Sequence, residues 1–433
     1  MSTLSAGQVR RRFLILHGLR WLPTGLLIPV TVLLMLERGL TLPQIGLAVA
    51  AQGLVVLVLE LPTGGVADAL GRKPVLVTAA AVSLAALLLL AVADSFPMLV
   101  AVWALQGVFR ALDSGPLESW YVDAALAADP EADIERGLSA AGVVIGLSIA
   151  SGALLSGGVV ALGPFGAVSA LTAPVLVAAV LQLLGLLTLL VLLVEVRPAA
   201  RGVAALRASV TGAPRMIGQA IGLLRRSRVL LALVAVEIFW GFGMVTFESL
   251  TPVRLAEVVG DADRAAVLLG PVGSAAWLAS AVGAALAAPV ARRLGVAPTA
   301  ALLRIVQGGT VVAMGLLAGP AGVIAGYLAC YAVHGASNPL HSGLLHRQVE
   351  GPYRTSVISI NSMVGQSSAA LGGITLTALA GATSVSVALL VGALVLAAAA
   401  PLYLPAWRAA RPVSRQPDGD QPSRTELRAQ LPV

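Results

Sequence analysis

The sequence predicts an all-α membrane protein, with twelve transmembrane helices arranged as two pseudo-symmetric six-helix bundles. Three observations predict it. Over 433 residues the chain is 58% apolar and only 11% charged, whereas a soluble chain carries about 25% charged residues. The apolar residues fall in runs long enough to cross a bilayer, and most basic residues fall between the runs. A soluble enzyme, a disordered chain and a disulfide-stapled scaffold are all excluded by that balance. The single cysteine, Cys330, lies inside an apolar run and can form no intrachain disulfide.

A hydrocarbon core about 30 Å thick needs roughly 20 residues per helix, and only helices or closed barrels satisfy the backbone in lipid. The first run, 13–36, follows Arg10, Arg11 and Arg12 and is too long for a removable signal segment. The next, 44–67 and 75–94, flank a short glycine-containing charged loop, and 97–125 carries the densest set of ionisable residues. Only Gly163, Pro164 and Gly166 divide 138–162 from 165–195. After a long basic stretch come 229–253, 265–290, 299–318, 320–346, 355–378 and 383–405, again bounded by Pro, Gly or charge.

With the N-terminus inside, cytoplasmic segments hold 22 of the 28 Lys and Arg residues, and the outside holds Arg38, Arg254 and Arg264. Arg20, Arg110 and Arg304 lie within predicted spans. The asymmetry places both termini in the cytoplasm of a cell bounded by this membrane. It also accounts for the +7 net charge without a nucleic-acid partner. The longest polar stretch, 196–228, separates 1–195 from 229–405, and 406–433 reads as a disordered cytoplasmic tail. Sliding the second part onto the first by about 224 positions sets Asp261 opposite Glu37 and 292–295 opposite 68–71. Within the linker, Met216, Ile217, Ala220, Ile221, Leu223 and Leu224 are spaced either for an amphipathic surface helix or as part of a flexible tether.

The run E-L-P-T-G-G-V-A-D-A-L-G-R-K-P beginning at Glu60 resembles the signature loop of the major facilitator superfamily, G-x-x-A-D-x-x-G-R-K/R. It matches at Ala67, Asp68, Gly71, Arg72 and Lys73, with Gly65 in the glycine pair that opens the motif. The lead-in at Glu60, the stretch 114–123 and the stretch 354–359 resemble a proton-coupled drug and metabolite efflux branch of that superfamily. The resemblance implies the major facilitator fold and a conformational latch. In that latch Asp68 meets the start of helix 11 near Arg354 and Thr355, and Arg72 reaches Asp123. The fifth span carries Gly142, Gly146, Gly152, Gly157 and Gly158 but has Ala153 and Leu154 where an exporter's Gly-Pro would stand. Close helix packing accounts for those glycines equally well.

Charges at membrane depth cost roughly 2.5–3.5 kcal/mol each, so they tend to face a cavity. Arg110 and Asp113 are three apart and can pair on one helix face, with Glu118 on the same side. Together with Glu248 they are the proton-coupling candidates, the alternative for the helix 4 set being a fixed ion pair that holds that helix to its neighbours. Candidates for lining a substrate cavity are Arg20, Glu237, His334, Asn338, His341, Asn361 and Gln366. The histidines are not at metal-binding spacing and no carboxylate joins them, so neither a metal nor another cofactor is expected. The resemblance implies a monomeric transporter exchanging protons for an amphipathic small molecule. Proton-coupled uptake is the alternative, and a non-transporting membrane protein is the reading from another class. An enzyme is not expected, because neither H-E-x-x-H nor G-x-S-x-G occurs.

Overall fold

Polar side chains set the helix starts. In the computed structural model, which describes residues 4–194, 224–348 and 353–410 together with Gly218 and Gly222, Ser5 accepts from the Gln8 amide while the Gln8 side chain accepts from the Ser5 amide. Asp133, Ser227, Asp261 and Ser384 each accept from the amide three residues on, satisfying donors that a helix leaves free at its first turn. The chain runs through α1 (Ala6–Leu27), α2 (Thr31–Glu37), α3 (Leu42–Leu70), α4 (Arg72–Val92), α5 (Phe96–Asp113), α6 (Pro116–Ala128), α7 (Ile134–Ala161) and α8 (Ala173–Leu192). After the linker come α9 (Arg228–Val245), α10 (Thr251–Val259), α11 (Ala262–Leu294), α12 (Val296–Leu316), α13 (Pro320–Arg347), α14 (Tyr353–Ala382), α15 (Val385–Ala398) and α16 (Leu404–Ala410).

The arrangement of twelve spans in two six-helix bundles is corrected by this structure. Among the described residues, nine helical segments are long and apolar enough to cross a membrane, or ten if α1 and α2, bent by 42° from one another, form one span. Neither α13 nor α14 is among them. The physical reason is composition: α13 carries His334, Asn338 and His341, and α14 carries Asn361, Ser362 and Gln366, which dilute the apolar runs.

Several predicted spans are also broken. The run 97–125 divides into α5 and α6 at Gly115, whose φ of 96° is left-handed. The run 229–253 passes through a π-turn over Thr246–Leu250 just before Pro252, and 383–405 passes through a 3-10 turn over Ala400–Tyr403. Pro252 has no N–H to give the preceding turn and its ring crowds that turn's carbonyls, which widens the helix there. The amphipathic linker residues Met216, Ile217, Ala220, Ile221 and Leu223 and the tail beyond residue 410 lie outside the described residues.

α1 packs on α7 and α8, α3 on α5, and α4 on α5 and α8; later, α9 packs on α14 and α15, α11 on α13, and α12 on α13 and α15. The earlier and later sets meet mainly along α3 with α14 and α7 with α11. Lipid supplies no hydrophobic drive between helices, so small residues that let backbones approach decide such contacts. A Cβ on Gly157 of α7 would lie 2.9 Å from the Cα of Gly270 on α11. One on Gly46 of α3 would collide with Thr377 and the Gly373 carbonyl of α14. At that same end Val30, Leu34, Leu99 and Leu171 pack into one cluster with Leu255, Ala265 and Val323, sealing it. At the other end Gly71 before α4 (φ 94°, ψ 154°) and Gly295 before α12 (φ 89°, ψ 151°) share one backbone conformation, at the positions that the internal repeat aligns. Leu88, Val92, Val191, Leu316 and Leu394 remain exposed, as lipid-facing positions do. The chain is a multi-pass integral membrane protein.

Candidate functional site

A cavity of about 430 Å³ lies between α3, α5, α9 and α14. Its walls are largely apolar, with Ile45, Val49, Trp240 and Met244 among them, and its charged members are Arg110, Glu237 and Glu248. Gln52, Ser249, Ser362, Gln366 and Thr377 add neutral hydrogen-bonding groups. Four of the sequence candidates therefore share one cavity: Arg110, Glu237, Glu248 and Gln366.

Glu248 stands on the π-turn, where the Thr251 hydroxyl donates to the Thr246 carbonyl at 3.3 Å and helps to satisfy the widened backbone. Its carboxylate is exposed in the cavity and has no ion pair among the described residues. Arg110 is likewise exposed there and unpaired among the described residues. The expected Arg110 to Asp113 pair is thus corrected. Three residues turn a helix by about 300°, and that rotation points Asp113 at α1, where its carboxylate accepts from Arg20. The Arg20 guanidinium also lies 4.3 Å over the Trp21 ring. Both ions of this pair line a separate space of about 40 Å³, with Gln182 beside them. Glu118, beyond the break at Gly115, has its side chain 43% exposed and comes within 3.9 Å of His17 Nδ1. It does not line the larger cavity.

Glu237 is buried against the cavity wall, and its Oε1 lies 3.1 Å from His341 Nε2, an ion-pair distance without aligned hydrogen-bond geometry. On the other side of the ring, His341 Nδ1 and the Tyr403 hydroxyl are hydrogen-bonded at 3.0 Å. Cavity carboxylate, imidazole and phenol thus form a chain leading into the protein. Tyr403 was missed by sequence reasoning, because it falls on the 3-10 turn and is 62 positions from His341.

The predicted polar stripe on α13 divides. His334 stacks on Trp240 with ring centroids 5.7 Å apart and bonds to Asn338 at 3.2 Å, while His341 turns away to Glu237. Neither His334 nor Asn338 lines the cavity. The Asn361 side-chain oxygen is buried without a hydrogen-bond partner among the described residues. Arg304 is buried and donates to Gln307 at 3.0 Å.

At the Gly71 turn, Arg72 Nη1 donates to the Ser119 carbonyl at 2.7 Å and lies 2.6 Å from Asp123 Oδ2. Lys73 donates to the Leu190 carbonyl at 2.7 Å. Gly65 and Asp68 belong to the backbone of α3, but the Asp68 side chain and those of Arg354 and Thr355 lie outside the described residues, as does their expected contact.

A helical membrane protein whose charged cavity is sealed at one end by contacts between earlier and later helices has the form of a transporter. The sequence matches the Major Facilitator Superfamily over residues 13–373, and the chain belongs to that family. Its function is accordingly transport and not enzymatic catalysis. No curated protein matches the sequence. Among solved structures it is similar to the nucleoside transporter NupG, at 14% identity and TM-score 0.75, covering 92% of this chain and 99% of that one. It also resembles a bacterial homolog of the human lysosomal transporter Spinster in an inward-facing, unoccupied conformation, at 14% identity and TM-score 0.71, covering 94% and 98% of the two chains. A POT family transporter in complex with 5-aminolevulinic acid gives 14% identity and TM-score 0.67, with 92% and 95% covered. At such identities the likeness shows the fold.

Proposed function

We propose that this transporter imports a small molecule across the cytoplasmic membrane together with protons, by alternating access, and that Glu237, His341 and Tyr403 carry the proton. The observation behind this reading is that Glu237 forms part of the cavity wall while its carboxylate touches a buried, hydrogen-bonded histidine. A proton entering from the cavity neutralises Glu237 or charges His341. Either event changes the charge on the wall, and so the relative energies of two conformations of the helices that carry it. Import is favoured over the export that the loop motifs suggested. Gly152 and Gly157 are occupied in close packing against α1 and α11, and the similar structures include a nucleoside transporter and proton-dependent oligopeptide transporters. The basic asymmetry puts both termini and the Gly71 turn in the cytoplasm, so the sealed end faces out and the state is inward-facing. On this view the Arg72 to Asp123 pair belongs to a latch at the cytoplasmic ends, shared with Asp68, and 196–228 tethers the parts that move.

The sign of proton movement tests it. Proteoliposomes carrying a pH dye in the lumen are given a panel of amino acids, dipeptides, nucleosides and lipophilic amines from outside. Symport acidifies the lumen whichever way the protein is inserted, whereas antiport alkalinises it. An active compound that alkalinises the lumen, or moves without any pH change, would overturn the proposal.

A further inference from the structure

Arg110 and Glu248 present opposite charges to one cavity from different walls, α5 and the π-turn after α9, and neither has an ion pair among the described residues. Two such charges at membrane depth are costly when uncompensated. Among the described residues Asp113 is met by Arg20, Glu237 lies at ion-pair distance from His341, and buried Arg304 is bonded to Gln307, whereas Arg110 and Glu248 have only the cavity before them. We infer that the substrate itself completes Arg110 and Glu248, and that it is an organic zwitterion whose carboxylate meets Arg110 and whose ammonium meets Glu248. This rests on the transport reading above and adds the class of cargo.

The rest of the cavity fits a small dipolar molecule with an apolar body. A volume of about 430 Å³ lies in the range of small-molecule sites and excludes a long polymer. Met244 and Val49 add apolar surface to the same cavity. Trp240, stacked on His334, adds an aromatic wall. Arg110 supplies a planar fork that matches a carboxylate in two-bond geometry, which a lone ammonium group could not provide. The π-turn is what aims Glu248: it adds a residue to the turn and rotates the carboxylate relative to the rest of α9. The zwitterion is read as a unit, because losing either of its charges leaves one protein charge unpaired in the cavity.

The test measures binding to the purified full-length protein in detergent, with no gradient, by calorimetry. The probes are phenylalanyl-alanine, its N-acetyl form and its C-terminal amide, which share one body and differ only in end charges. The wild type is expected to bind the free dipeptide at least tenfold more tightly than either blocked form. Arg110→Gln should bind the dipeptide and its amide equally, and Glu248→Gln should bind the dipeptide and its N-acetyl form equally. Equal binding of all three probes by the wild type would overturn the inference, and so would the absence of binding to a protein with a normal melting transition. So would discrimination that survives the substitution meant to remove it, since Arg110 and Glu248 would then be serving each other. If a variant fails to fold, the three-probe comparison on the wild type still decides. Intact selective binding with no proton movement in liposomes would sink the transport mechanism and leave this inference standing.

Discussion

Asp113 lies three positions after Arg110, yet it bonds to Arg20, 93 residues earlier in the chain. Spacing along one helix shows which side chains share a face, and α5 does present both residues inward. It says nothing of which neighbouring helix each one meets, so the partner was not legible. Glu237 and His341 were each recognisable as polar residues inside apolar runs, while their meeting was not, because α9 and α13 are far apart in sequence. Replacing Asp113 with Asn should leave the Arg20 cation without its partner and destabilise the protein by about 3–5 kcal/mol, seen as a lower melting temperature in detergent. Adding Arg20→Gln should restore much of that loss. A normal melting temperature for Asp113→Asn alone would show that the pair is not a structural one. Tyr403→Phe removes one hydrogen bond to His341, expected to cost about 1 kcal/mol. It should slow pH-driven uptake while leaving exchange of substrate across the membrane unchanged; equal slowing of both would assign Tyr403 to packing.

Helix positions followed from the apolar runs, and the breaks within them did not. Gly115 and Pro252 were visible in the sequence, but a glycine or proline in an apolar run marks a turn, a kink or a tolerated residue with equal right. Only the backbone shows that Gly115 ends α5 and that the turn before Pro252 is a π-turn. The glycines of α7 divide in a similar way. Gly157 meets Gly270 of α11, whereas none of the described residues lies within 4 Å of the place a Cβ would take on Gly142. Gly270→Leu should therefore wedge α7 from α11, lower stability by about 1–3 kcal/mol through overpacking and abolish transport. Gly142→Ala should change neither. Parallel flux and melting measurements on the two variants check this, and full activity in Gly270→Leu would mean that the sealed end does not depend on that contact.

For the whole molecule, composition and basic asymmetry made a multi-pass membrane protein legible before any coordinate. The count of spans was not, because α13 and α14 mix apolar residues with the polar groups that a transport path requires, and α1 with α2 bends where one rod was expected. The proposed orientation predicts that Asp261→Cys is labelled by an impermeant maleimide added outside intact cells and that Arg136→Cys is not. The native Cys330 is fully buried and gives a quiet background. Labelling of both positions from the same side would reverse or dismantle the topology.

Coupling of transport to a proton held by Glu237 and His341 is the central claim. Its most direct test uses Glu237→Gln in proteoliposomes, with a compound that the wild type moves, under an imposed pH gradient and then in counterflow with no gradient. Glutamine keeps the shape of the side chain and removes its titration. The account predicts that gradient-driven accumulation falls to background while counterflow stays near the wild-type rate. Accumulation at the wild-type level in Glu237→Gln would contradict it and place the coupling proton elsewhere.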